Sequence, residues 1–504
     1  MHLFSTLLDA NTINKQMREE ENIQKCIDWC KASGIHKIYI ESYRGAFIEQ
    51  ELLEKLRDRF EEEGILAHGC VTPVNLPRTA NNRFADPAWN VVGCYSSEEV
   101  HEKMDQIFRR TAAVFDVIMV DDFLFTHCTC EHCQKAKGGR TWGEYHSDIV
   151  HEVSVDHILK PAKEVNPNCK IIIKYPLWYD TGFEGQGYDT IRQTRDFDRI
   201  WIGTETREPD IEINGLYPQT QGFFTMAWAM RLDEKKCGGG WYDPYDTKPE
   251  TYLEQARQTI LGKAKESMLF CYSSLADAEG GQINTEAWRK ERAGLVELAN
   301  LLTNKEIVGV SVPKQPHVDA ATEKYLSSCY GMLGLPICPE IVLDKSAKSV
   351  ILGDQANHYP GVRDYVREMK EKGAAIAYTD AFLAYQGLET DAGIPAFSMQ
   401  GDKWNIIRKM SEEDRNTLRD HLMKPLGVTF RGPASVALNM YDDDMEVLQN
   451  FNDFDVTVTI DLFGRNHKTR KLLLTLSADK KVEVTREGYV YTVKLPARTL
   501  AVLG

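Results

Sequence analysis

Short β-branched and aliphatic runs alternate with amphipathic helical patterns through the first three-fifths of the chain. Runs at 3–8, 37–43, 65–72, 117–121, 170–175, 200–204, 223–227 and 268–272 read as strands. Between most of them, apolar residues recur at helical spacing over 22–32, 50–62, 98–113, 145–165, 251–263 and 286–302. Gly64 closes one of these helices just before the strand at 65, as a C-terminal glycine should. Eight strand–helix repeats predict a (β/α)8 TIM barrel over residues 1–303. A doubly wound open sheet is the competing arrangement, but no glycine-rich phosphate turn follows the first strand.

The pattern changes after the barrel. Residues 304–435 read as a smaller flavodoxin- or amidotransferase-like α/β domain, with strands at 308–312, 340–343, 349–352 and 374–378 and helices at 321–332 and 361–372. Residues 436–504 alternate with the two-residue period of half-buried strands at 456–460, 471–475, 482–485 and 489–493. Turns at Gly464, Asp479 and Gly488 make this stretch a small antiparallel sandwich.

Composition narrows the partners. The 504 residues are 42% hydrophobic and 27% charged, enough for a large core, yet no apolar run approaches the length of a membrane span. A net charge of −15 with no basic block argues against nucleic acid and against an anionic membrane surface. Twelve cysteines are too sparse for a disulfide scaffold and point to a reducing compartment. The start lacks a basic segment followed by an apolar one, so a cytoplasmic location is expected, or a periplasmic or secreted one if Met1 is not native.

The chemistry concentrates after the fourth strand. Asp121 and Asp122 end an apolar run, at the barrel face where active sites form. Packing alone would not choose two charges there. Cys128-x-Cys130-x2-Cys133 follows, a spacing suited to tetrahedral zinc, and Cys94 can supply a fourth ligand. His127 and His132 compete for that place. Four protein ligands would close the coordination sphere, which makes such a zinc structural; an open, catalytic metal site is the alternative.

Asp121-Asp122-Phe123 followed by this cysteine loop resembles glycoside hydrolase family 42, the β-galactosidases. The order of barrel, α/β domain and small β domain is also similar to that family's. The resemblance implies that Asp122 is the general acid/base and that Asp121 replaces the asparagine contacting the sugar 2-hydroxyl. It implies Cys94, Cys128, Cys130 and Cys133 as ligands of a structural zinc, and a homotrimer built on the α/β domain. The family also places a nucleophilic carboxylate at the end of the seventh strand, and the run 223–230 offers none.

Glu205, after the sixth strand with Arg207 beside it, supplies a partner for Asp122; this pairing resembles the α-galactosidase clan. Alternatively, Asp121-Asp122 is similar to the paired acids of N-acetylhexosaminidases that use the substrate's own acetamide. A catalytically inactive carbohydrate-binding barrel is the remaining alternative. Around the rim, Glu41, Tyr43, Arg44, Lys174, Tyr175, Arg207, Trp228 and Trp241 fall at or near expected strand ends or in a glycine-rich loop. Aromatic faces and hydroxyl-binding charges of this kind suit a sugar. A glycosidase with a carbohydrate substrate and no organic cofactor is the expected function.

Overall fold

The computed structural model describes residues 2–80, 92–121, 123–177, 183–209, 217–276, 279–317, 323, 325–390, 409–442, 444–477 and 481–504. Eight parallel strands close into a barrel: β1 (Leu3–Leu8), β2 (Lys37–Arg44), β3 (Leu66–Thr72), β4 (Val117–Val120), β5 (Lys170–Tyr175), β6 (Arg199–Gly203), β7 (Cys237–Tyr242) and β8 (Glu266–Leu269). Strand alternation divides their side chains between two cores. Leu7, Tyr39, Cys70, Met119, Ile172, Trp201, Trp241 and Met268 fill the bore as one cluster. Phe4, Leu8, Ile38, Ile40, Ile171 and Ile173 point the other way, into the helix layer.

The floor of the bore holds a buried ion pair, Lys37 Nζ to Glu266 Oε2 at 2.5 Å, with the Tyr39 hydroxyl 3.3 Å from the same carboxylate. Removing one member strands the other charge in the interior. Lys37→Met is therefore expected to cost about 3 kcal/mol, read as a lower urea midpoint at unchanged slope.

Two expected elements are corrected. The strand at 223–227 is part of a helix, Gln221–Leu232, buried from Gln221 through Met230. Covered on every side, it shows no polar stripe to reveal a helical period. The true seventh strand is the run read as a loop, Cys237-Gly-Gly-Gly-Trp-Tyr242. Glycine is required there by close approach: a Cβ on Gly239 would overlap the Glu266 carbonyl oxygen of the neighbouring strand.

Beyond the barrel, a four-stranded parallel sheet runs in the order Ile337–Glu340, Val310–Pro313, Ser349–Leu352, Ala375–Tyr378. Two antiparallel sheets of four and five strands follow. The five-stranded sheet has at one edge Ile307–Val308, paired with Val436–Tyr441. One barrel helix, Pro249–Leu261, is buried from Thr251 onward. Arg257 forks onto Glu291 at 2.7 and 2.7 Å, Gln258 donates to Gln449 at 2.7 Å, and Arg498 donates to Glu254 at 3.1 Å. The first ties two barrel helices together, and the other two fasten the barrel to the antiparallel sheets. No helix among the described residues is long and apolar enough to cross a membrane.

Candidate active site

The bore-facing parity continues past the hydrophobic layer and turns charged at the carboxyl ends of the strands. Tyr39 is followed two residues on by Glu41, Met119 by Asp121, Ile172 by Lys174 and Trp241 by Asp243. A cleft of about 390 Å3 opens over this layer, lined by Asp9, Arg44, Asp121, Phe123, Lys174, Glu205, Arg207, Trp241, Asp243, Tyr245, Phe270 and Cys271, among others. That volume suits a small ligand.

Asp121 is 2% exposed and heavily engaged. Its carboxylate accepts from Lys174 Nζ at 2.5 Å, from Arg44 Nη2 at 3.1 Å and from Thr72 Oγ1 at 3.1 Å. The Lys174 ammonium in turn lies 3.9 Å from the centre of the Trp241 ring, where the π face stabilises a cation. Glu41 sits behind this layer, fully buried. It accepts from Arg44 Nε at 2.9 Å, from the Ala10 amide at 2.7 Å and from the Thr72 hydroxyl. Burial pushes the Glu41 carboxyl above the usual range, against the pull of Arg44. Its role is to hold Arg44 toward the cleft.

Across the cleft, Arg207 forks onto Asp243, Nε to Oδ1 at 3.0 Å and Nη2 to Oδ2 at 2.9 Å. Asp243 is 3% exposed, and burial raises its carboxyl above the ordinary aspartate value while Arg207 opposes the rise. Glu205 folds back over Gly203, where a Cβ would lie 2.8 Å from Oε1, so the glycine makes room for the carboxylate. The negative charge of Glu205 adds to that of Asp243 in raising Arg207.

The expected site residues thus divide. Asp121, Arg44, Lys174, Glu205, Arg207 and Trp241 line one cleft, while Glu41 supports it from beneath. Asp122 lies outside the described residues. Tyr175 has the opposite parity to Lys174 and packs in the helix layer against Tyr188, with ring centres 6.3 Å apart. Trp228, on the corrected helix, is fully buried and does not line the cleft; its indole N–H donates at 3.0 Å to the carbonyl of Lys314, just past the parallel-sheet strand Val310–Pro313. Tyr43 is also fully buried. Asp243 was hidden by reading β7 as a loop; counting two residues on from Trp241 would have found it.

The cysteines come together as the sequence suggests. Sulfurs of Cys94, Cys128, Cys130 and Cys133 all lie within 4.8 Å of one another. Cys94 to Cys133 is 3.8 Å, and Cys130 to Cys133 is 3.6 Å. Four metal–sulfur bonds of about 2.3 Å in a tetrahedron give sulfur–sulfur edges of about 3.8 Å. The donor set therefore fits a metal ion, and neither His127 nor His132 belongs to it. His146, on the helix Trp142–Ser154, lies with Nε2 3.0 Å from the Cys128 carbonyl and braces the loop.

The whole chain has the fold of two solved glycosidases. A GH42 β-galactosidase from G. stearothermophilus aligns over 99% of this chain and 98% of its own, with a TM-score of 0.63 and 11% identity. The α-L-fucosidase isoenzyme 2 of Paenibacillus thiaminolyticus aligns over 100% and 99%, with a TM-score of 0.60 and 10% identity. In sequence, the chain is 27% identical over 356 residues to an uncharacterized protein of Saccharolobus solfataricus. That match takes in 63% of this chain and spans 57% of the relative's length. The family described as "probable glycosyl hydrolase, catalytic domain" matches residues 1–327, a stretch that contains every strand of the barrel and the whole of its mouth, and this chain belongs to that family.

Proposed function

We propose that this chain hydrolyses glycosidic bonds at the carboxyl end of the barrel, using carboxyl groups that follow β4 and β7. The observation that carries this reading is Asp243. Its carboxyl group follows β7 directly and lines the cleft. Asp243, clamped by Arg207, acts as nucleophile or as stabiliser of the oxocarbenium-like transition state. Asp122 is assigned as general acid/base from its place in the sequence. Asp121, charge-balanced by Lys174 and Arg44, orients a sugar hydroxyl. Glu205 is the second candidate partner for Asp122. Trp241 and Phe270 offer apolar faces for the ring.

The substrate-assisted reading rests on the paired acids Asp121-Asp122; a carboxyl group directly after β7 favours the two-carboxylate reading over it. The cysteine cluster is assigned a structural zinc, which would join the loop after β4 to the segment before the helix Glu98–Ala112. A homotrimer is carried over from the family resemblance, and light scattering tests it.

Aryl galactosides and fucosides, after the solved neighbours, and acetamido sugars form the first substrate panel. Product release by the native protein, lost in Asp122→Asn, is the expected result. Full release by that variant would remove Asp122 from the mechanism. Replacing Lys174 by Met should raise KM and lower kcat together, by about tenfold in kcat/KM, because Asp121 loses its closest cation.

A further inference from the structure

The helix Pro249–Leu261 does more than seal the barrel against the antiparallel sheets. Gln255, fully buried on it, reaches both strand ends that carry the Arg207–Asp243 pair. Its Oε1 accepts the backbone N–H of Arg207 at 3.1 Å, and its Nε2 donates to the backbone carbonyl of Asp243 at 2.9 Å. One side-chain amide therefore bridges the segments after β6 and β7. The bridge falls at a strained point: Arg207 has φ of 54°, a left-handed conformation that a long side chain rarely adopts. A surrounding contact must hold such a backbone in place. Gln255 bonds to the very N–H whose direction that conformation sets.

The bridge is itself anchored. Residues next to Gln255 on the same turn are tied to the antiparallel sheets and the helix Glu279–Leu302, Glu254 by Arg498 at 3.1 Å, and Arg257 to Glu291 at 2.7 Å. Gln258, one turn along, bonds to Gln449. The amide is thus presented from a turn with little freedom of its own.

We infer that Gln255 is a positioning residue, crosslinking the ends of β6 and β7 so that the Arg207 fork stays seated on the Asp243 carboxylate. It touches no substrate. It acts through Arg207, and loss of the bridge lets the guanidinium withdraw from a buried carboxylate that burial already disfavours as an anion. The effect on turnover rests on the proposed role of Asp243; the effect on the carboxyl's titration does not.

The test therefore reads titration first. Protein carrying 13C-labelled aspartate, with Asp243→Asn to assign the signal, gives the Asp243 carboxyl titration directly. In Gln255→Leu that titration should move up by about one pH unit or more. Gln255→Asn, neutral and too short to span the two segments, serves where the leucine variant fails to fold and should shift in the same direction. Gln258→Met is the control: it removes the bond to Gln449, lowers thermal stability, and leaves the Asp243 titration in place. With a turned-over glycoside in hand, the acid limb of the kcat profile should follow the same shift, with kcat down about 10- to 100-fold. A fall in stability in the Gln255 variants with an unmoved Asp243 titration overturns the inference. A shifted titration with no activity in any form of the protein upholds the crosslink and rejects the hydrolase mechanism.

Discussion

Asp243→Asn is expected to lower kcat by about a thousandfold or more, with little change in the folded state. The amide matches the carboxylate in size, so Arg207 keeps a neutral oxygen to bond. On the proposed mechanism, what disappears is the negative charge that would face the anomeric carbon and the oxygen able to bond to it. External azide should restore part of the rate if Asp243 is the nucleophile, and the rescued product should carry the opposite anomeric configuration. The native protein also has a defined pH response. Burial sets the Asp243 carboxyl above an ordinary aspartate, so protonation removes the working anion at a higher pH than a solvated aspartate would. kcat/KM should fall on the acid side accordingly, and the limb should vanish from the residual activity of the asparagine variant. Retention of activity within about tenfold of native would transfer the nucleophile's role to Glu205.

Removing the metal is expected to have the next largest effect. Purified protein should contain one zinc per chain, and Cys128→Ser should lose it. Structural zinc contributes roughly 10–16 kcal/mol in peptides that fold only around it. A loop already framed by a barrel recovers part of that. Here the loss should be about 5 kcal/mol or more, because the four sulfurs within 4.8 Å of one another are joined across two loop segments only by the metal. The damage should be local before it is global. Cys128 lies seven residues beyond Asp121, so proteolysis should first appear between β4 and the helix Glu131–Lys137, with activity falling ahead of helix content. A metal-free protein with native thermal stability would reject the structural role.

How much of this could be read from the chain depended on whether burial left a period. Strands such as Leu3–Leu8 and Lys170–Tyr175 were legible because short aliphatic runs fell between amphipathic helices. The helix Gln221–Leu232 and strand β7 exchanged identities for a physical reason. A helix packed on all sides resembles a buried strand, and a strand stripped to glycine by its neighbours resembles a loop. That exchange concealed Asp243 and promoted Trp228. Parity accounts for the rest. Lys174 and Asp121 face the bore, while Tyr175, one residue away, does not. A register shift between Glu41 and Tyr43 tucks Glu41 beneath Arg44, which no spacing in the sequence announces. Cys128, Cys130 and Cys133 were visible because their spacing within six residues is that of metal ligands, whereas Cys94, 34 residues earlier, was found only from its place before the preceding helix.

The strand Ile307–Val308 sits at the edge of the five-stranded sheet, and after a single glycine the chain enters the parallel sheet at Val310. One short stretch thus serves two layers, and the barrel leads directly into it through the helix Glu279–Leu302. These parts are not beads that recombination could shuffle or a protein engineer could trim one at a time. A barrel severed after residue 303 would bare Arg257, Gln258 and Glu254 to water, and the sheets left behind would lose the barrel partners of Gln449 and Arg498. Inheritance should therefore act on the chain as a unit: homologues that keep the barrel should keep the sheets, and insertions should collect in the surface loops instead.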